Sequence, residues 1–438
     1  TESSSRTSIM KPRSVTGWWS CLTCVLMLLS YEACVAQASV LDVGGHTKYR
    51  GTFTAFPDDS FFRTLTGSSA EDFGFDARLN LAWRANGWDL LADAQFGAFY
   101  GDSIEFTREF GEQLQALYPR LPSDDRRLFE LTHINEDKDK LAAVSRLDRF
   151  SVGYTGDNSV LRVGRQAVTW GNGLIFNTVM DIFNPFDPTA IDKEYKSGDD
   201  MLYGQYLRDN GDDFQGVTVF RRDPSTGNVE ADQSSFAAKY HGFIGVGEFD
   251  LVLAQHFGET LIGFGGNHSV GEALWRGDLM VTHADSGDTI VSAVTSLSHV
   301  FSWVGKNVSA VVEYYFNGFG QHDAHYGPEH LALNLDLLQR FARGEVFNLS
   351  RHYLGLSALI EITPLFLLTP NLFMNLEDTS ALLQITTRTD LSESMLLLGA
   401  LNIPFGETGT EYGGIDSGVP GLQLSSGAGI FVQLAWYF

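Results

Sequence analysis

Cysteine is close to missing from this chain. Its 438 residues include three, Cys21, Cys24 and Cys34, and all three fall in a segment that reads as a removable leader. Met10-Lys11-Pro12-Arg13 is a basic start, an apolar run follows around Val25 to Leu29, and Ala36-Gln37-Ala38 is a small-residue cleavage site. Residues 1–38 are therefore read as an upstream extension plus signal peptide, starting at Met10 and cleaved after Ala38. Residues 39–438 are read as one domain. A mature chain without cysteine has no structural disulfide, no thiolate metal site and no Cys nucleophile.

Long apolar runs are missing too. Beyond the leader none approaches the ~18 residues a helix needs to cross a bilayer. Positive charge is scarce: taking the three basic and two acidic residues of the leader from totals of 30 and 54 leaves 27 against 52, a net charge of −25. Such a balance argues against nucleic acid as a partner, because nucleic-acid surfaces need basic patches.

What the chain has is alternation. It is 44% hydrophobic and 13% aromatic with 45 glycines, a mixture that points to many strands joined by tight turns. Phe73, Phe75, Ala77, Leu79, Leu81 and Trp83 alternate with Gly74, Asp76, Arg78, Asn80, Ala82 and Arg84. Asn86-Gly87 is a hairpin turn, and Trp88 to Tyr100 returns with the same period of two. Later stretches, Trp275 to Val281, Val308 to Phe316 and Tyr353 to Ile362, repeat it. The last twelve residues do so most strongly: Ile430, Val432, Leu434, Trp436 and Phe438 share one face, and Phe431, Gln433, Ala435 and Tyr437 the other.

A closing strand of alternating apolar residues that ends in Phe resembles the last strand of Gram-negative outer-membrane β-barrels. That resemblance implies an integral outer-membrane location, contact with lipid and lipopolysaccharide, and reading of the Phe438 strand by the barrel assembly machinery. The period and the turns predict an all-β fold, a transmembrane antiparallel barrel of about eighteen strands with short helices in long extracellular loops. Short connections at 85–87, 155–159, 209–212, 242–247, 268–272, 303–307, 363–366 and 391–394 are expected on the periplasmic side. Helices are expected at Glu112 to Tyr118, Ser123 to Leu131, Lys138 to Leu147 and Leu331 to Arg343.

The stretch Leu161 to Pro188 is the one most suited to carry chemistry, and it runs into a loop, residues 169–199, that is rich in Trp, Asn, Pro and Asp. Gly164-Arg165-Gln166 on a strand, then Trp170-Gly171 and an Asp-rich loop, is similar to a pattern in alginate-export-type barrels and related porins. The resemblance implies an eighteen-stranded barrel whose inward-folded loops narrow the pore. Arg162 alternates with Leu161 and Val163 and so should face the lumen; Arg165 lies nearer the strand end, where alternation no longer sets its direction. The loop offers Asp181, Asp187, Asp192, Glu194, Asp199 and Asp200. If it folds inward, those carboxylates face wall arginines across a narrow gap, and the transverse field selects solutes. The wall candidates are Asp76, Arg78, Asp93, Arg276, Asp278 and Glu313, each opposite an apolar neighbour.

No catalytic site, cofactor or metal is expected. No Ser–His–acid constellation falls on adjacent strand ends, and His322, His325 and His330, beside Gly327-Pro328, read as solvated loop residues. The function expected is not enzymatic: a porin-like channel for small hydrophilic solutes or an oligo- or polysaccharide. The alternatives are a scaffold barrel or exporter sheathing a partner or polymer and, in third place, a barrel enzyme.

Overall fold

The computed structural model describes residues 39–114, 121–176 and 179–438; the expected leader lies outside them. Strand β1 (Val40–Ala55) pairs along its whole length with β2 (Ser69–Ala85), from Val40↔Arg84 to Ala55↔Ser69. Asn86 (φ 53°) and Gly87 (φ 82°) then turn the chain into β3 (Trp88–Gly101). Two successive positive φ values suit the right-handed twist of a hairpin, and Asn-Gly is the pair that tolerates them most readily.

The connection after β3 departs from expectation. One helix, α2 (Asp102–Leu114), follows the short α1 (Arg63–Thr66), and the remainder of the expected Glu112 to Tyr118 helix falls outside the described residues. Ser123 to Leu131 is turn and extended chain, and Lys138 to Leu147 is a hairpin, not helix: β4 (Thr132–Lys138) folds onto β5 (Leu141–Thr155). The reason is pairing. The edge of β3 takes residues Leu141 to Leu147 as its next strand, and Ala142 and Val144 turn inward as period two requires. Because β6 (Ser159–Gln166) is short, β4 fills the edge of β5 above it.

The wall continues through β7 (Asp199–Leu207), β8 (Asp213–Val219), β9 (Ser235–Ile244), β10 (Gly247–His256), β11 (Glu259–Val270) and β12 (Ala273–His283). It goes on through β13 (Thr289–Trp303), β14 (Lys306–Phe316), β15 (His352–Thr363), β16 (Phe366–Asn375), β17 (Ala381–Ser392) and β18 (Met395–Phe405). After a small hairpin, β19 (Ile415–Asp416) with β20 (Gln423–Leu424), strand β21 (Gly429–Tyr437) closes the ring. Val432 sits opposite Gly399 of β18 on one side and Gly51 of β1 on the other. With β4 set aside, eighteen antiparallel strands form a closed barrel with no free edge.

Large apolar side chains cover its outside, among them Trp88, Trp275, Trp303 and Trp436. One end carries eight short turns, the turn end; the other, the loop end, carries the long connections. In the loop between β14 and β15, helix formers give α3 (Pro328–Leu331) and α4 (Leu335–Arg343) in place of one continuous helix. Asn334 interrupts them because its side chain caps α4, accepting the Leu337 N–H at 3.2 Å. Gly344, at φ 71°, ends α4 in the left-handed conformation.

Candidate channel constriction

After Gln166 the chain leaves the wall and enters the barrel, returning only at Asp199. This in-folded loop, residues 167–198, is held by the wall on nearly every side. Trp170 donates its indole N–H to Gln215 of β8 (2.8 Å). Asn172 donates its backbone N–H (2.6 Å) and its side-chain amide (2.7 Å) to Asp278 of β12. The N–H groups of Leu174, Ile175 and Phe176 converge on the carboxylate of Glu313 of β14, at 2.6, 2.9 and 2.7 Å. These wall acids replace the partners a loop normally finds in water. Apolar packing fills in behind them. Trp170, Met180 and Phe183 join Met201, Val217, Val219, Val252, Ala254, Leu261 and Met280. Ile175 and Phe176 join Val294, Tyr315, Tyr353 and Phe373. At Gly355 of β15 a Cβ would meet Ile175 at 2.8 Å and Phe176 at 2.9 Å, so the wall is glycine where the loop presses on it.

The return leg crosses to the other side. Gln384 of β17 donates to the Thr189 carbonyl (2.8 Å). Asp192 accepts from Lys48 of β1 (2.7 Å) and Gln433 of β21 (3.0 Å). Glu194 meets Lys48 (2.5 Å) and the Tyr437 hydroxyl (2.9 Å). The Tyr195 ring lies 4.1 Å from the Arg78 guanidinium. Within the loop, Lys196 pairs with Asp181. Burial pushes the Asp181 carboxyl up to about 7, with Lys196 opposing the shift.

Between this return leg and the wall arc of β1, β2, β3 and β5 lies a cavity of about 220 Å³. Lys48, Arg50, Arg78 and Arg146 face it together with Asp76, Asp192 and the rings of His46, Phe99 and Tyr195. Arg78 is tied to Asp93 (3.0 Å) and Asp148 (2.8 Å). Arg50 stays exposed and stacks on Phe99 at 5.0 Å. Its stem lies along Gly74, where a Cβ would meet Arg50 Nε at 2.6 Å.

The structure brings some of the sequence-derived residues together here and places others elsewhere. Asp76, Arg78, Asp93, Asp192 and Glu194 surround the cavity or hold its lining. Asp278 and Glu313 are docking posts for the loop. Asp181 lies buried in the loop, and Asp187 caps its own turn, accepting from the Thr189 N–H and hydroxyl at 2.8 Å. Arg276 binds the Ser298 hydroxyl (2.9 Å) towards the turn end.

Two expectations need correction. Arg162 points inward but lies 3.4 Å from Asp89 of β3, away from the loop carboxylates. It sits at the foot of β6, opposite Gly153 and Tyr203, below where the loop leaves the wall. Arg165 is sealed instead of pore-facing: Asp200 (2.9 Å), Asp124 (3.0 Å) and the Phe129 carbonyl (2.7 Å) enclose it under residues 121–131. The base that the loop carboxylates do meet is Lys48. Its signal was present in the sequence, since His46, Lys48 and Arg50 alternate on the face of β1 opposite Tyr49. Gln384 and Gln433 carried no such signal, because one amide on a strand marks no partner.

Among solved structures, Wzi is similar in fold, an outer-membrane protein involved in group 1 capsule assembly in Escherichia coli and a carbohydrate-binding β-barrel. The TM-score is 0.50 at 10% identity, covering 97% of this chain and 89% of that one. The fold is that of bacterial outer-membrane barrels. An anion-selective porin from Comamonas acidovorans (TM-score 0.43, 14% identity, 92% and 100% covered) and OccAB3 from Acinetobacter baumannii (0.47, 10%, 91% and 99%) are more distant in shape. No protein-family model and no curated protein matches the chain.

Proposed function

We propose that the chain is a bacterial outer-membrane channel for small hydrophilic solutes, with its turn end towards the periplasm. The solute path follows the arc of β1, β2, β3 and β5, past the return leg of the in-folded loop. One observation carries this reading. The loop brings Asp192 and Glu194 onto Lys48 beside a cavity of about 220 Å³, whose wall also carries Arg50, Arg78, Arg146 and Asp76. Charge of both signs around the cavity sets up a field that discriminates among solutes by charge and dipole. The acidic balance of the rest of the chain suits contact with lipopolysaccharide and its divalent counter-ions. The β21 strand, ending in Phe438, serves as the signal to the assembly machinery.

A second reading has its own support. Two apolar clusters pack the in-folded loop against the wall, and Phe99 and Tyr195 offer ring faces at the cavity. Those features suit a barrel that binds or sheathes an oligo- or polysaccharide without conducting. Single-channel recording of the purified chain in planar bilayers separates the two. Steps of ionic conductance support the channel; their absence, with binding of oligosaccharide, favours the binding barrel.

A further inference from the structure

A second polar pocket, of about 570 Å³, lies at the loop end, lined by the in-folded loop, residues 123–127 and the end of α4. Besides Arg127, which is paired with Asp124 at 2.8 Å, three arginines from separate elements line it: Arg126 from the segment before β4, Arg221 after β8, and Arg343 in the last turn of α4. Its floor is the in-folded loop itself, at Ile182 to Pro185. Phe257 organises two of the three. The guanidinium carbons of Arg221 and Arg343 lie 4.6 and 4.2 Å from its ring centroid, and an aromatic face attracts a cation. Phe257 (φ +50°) and Gly258 (φ +84°) form the two-residue turn from β10 to β11, with positive φ at both positions as at Asn86-Gly87, and the turn sets the ring beside the pocket.

The carboxylates of the pocket do not neutralise it evenly. Asp199 is taken by Arg221, at 2.9 and 2.8 Å. Glu345 is shared among His256 (3.2 Å), Arg340 (3.9 Å) and Arg343 (4.0 Å). Asp125 stands at the exposed rim. Arg343 Nη1 is buried and has no hydrogen-bond acceptor among the described residues. Arg126 donates to the neutral Gln233 side chain (3.1 Å) and, among the described residues, to no carboxylate. Burial, then the charges of Arg343 and Arg221, pull the Arg126 guanidinium below its ordinary pKa.

We propose that this loop-end pocket is a binding site for an oxyanion, a carboxylate, phosphate or sulfate group on a hydrophilic solute, held by Arg126 and Arg343. The planar forks of two arginines suit oxyanion oxygens, and the buried Nη1 gains the acceptor it lacks. A solute arriving from the loop end meets this pocket before it reaches the constriction.

Calorimetric titration of the full chain in detergent tests the site, with sodium sulfate and sodium succinate as probes and ionic strength held constant with chloride. At least one probe should bind saturably to the wild type. Arg126→Gln and Arg343→Gln should each weaken that binding about tenfold or more. Arg84→Gln, which breaks a pair with Asp42 at the turn end, should leave it unchanged. Heat-modifiable migration shows that each variant is folded. Binding of neither probe, or wild-type affinity in both pocket variants, overturns the site. The titration does not depend on conduction. A barrel that binds sulfate without conducting sinks the channel reading alone, and one that conducts without binding sinks the oxyanion site alone.

Discussion

Lys48 and Asp192 meet at 2.7 Å inside the barrel, although 144 residues separate them in the chain. Lys48 is buried and reaches Glu194 as well, so one wall base holds both carboxylates of the return leg. Removing it, as in Lys48→Ala, leaves two acids uncompensated beside the cavity. Cation preference should rise, most strongly at low salt, because pore charges are screened over ~10 Å at 0.1 M. Arg162→Ala, which loses only a contact with Asp89 below the loop, should shift selectivity less. Reversal potentials under a salt gradient provide the measurement, and identical values for wild type and Lys48→Ala would remove Lys48 from the constriction.

Glu313 anchors the inbound leg through three backbone N–H groups. Glu313→Ala strands those donors in a buried site, at a cost of about 1–3 kcal/mol for each donor left unpaired. The loop should loosen while the barrel stays closed. Conductance should rise, and amide exchange should speed up at residues 174–176. Unchanged exchange there would show that apolar packing alone holds the leg.

Acidity should tighten the loops. Burial raises the carboxyls of Asp181 and Glu411 to about 7. Glu411 accepts from the Leu349 N–H (3.0 Å), the Tyr353 hydroxyl (2.6 Å) and the Asn375 amide (2.8 Å). Both groups hold more protons folded than unfolded between about pH 4 and 7. Stability therefore falls as pH rises through that window, by at most about 1.4 kcal/mol per group and pH unit. Amide exchange in 179–198 and 406–428 should be slower at pH 5 than at pH 8, beyond the intrinsic change in exchange chemistry. Glu411→Gln should flatten the effect in 406–428, and an undiminished effect there would clear Glu411 of the role.

Orientation is open to labelling. Cysteine at Leu333, which is exposed at the loop end, should react with an impermeant thiol reagent on intact cells, and cysteine at Asn86 should not. Asp124 is a poor site for this test because it lies buried beneath its pairs with Arg127 and Arg165. Labelling of Asn86 from outside would invert the barrel.

Deleting Phe438 should lower the yield of inserted barrel. Its backbone exchanges two hydrogen bonds with Gly45, at 3.0 and 3.1 Å, so the deletion also opens the foot of the closing seam. A normal membrane yield and normal heat-modifiable migration would count against a signal in this strand.

Much of the barrel was legible because alternation is local. Phe73 to Tyr100 declares two strands and their turn within thirty residues, and the β21 pattern declares which face meets apolar surroundings. Helix spacing misled at Lys138 to Leu147, where the open edge of β3 supplied ladder bonds that local propensity did not foresee. At Leu331 to Arg343 it came close, and the Asn334 cap accounts for the break.

By itself the sequence determined an all-β barrel of about eighteen strands and the two faces of those with clean alternation, because a period of two assigns every side chain to one side or the other. It also marked residues 169–199 as a loop of unusual composition. Only the tertiary structure decided what that loop does. Its course depends on Asp278, Glu313, Gln384, Gln433 and Lys48, which lie on strands far apart in the chain and come together only when the barrel closes. Period two places a side chain on the inner face but says nothing of its height along the barrel. Height is what separates Arg162, paired with Asp89 towards the turn end, from Lys48, paired with the return leg of the loop.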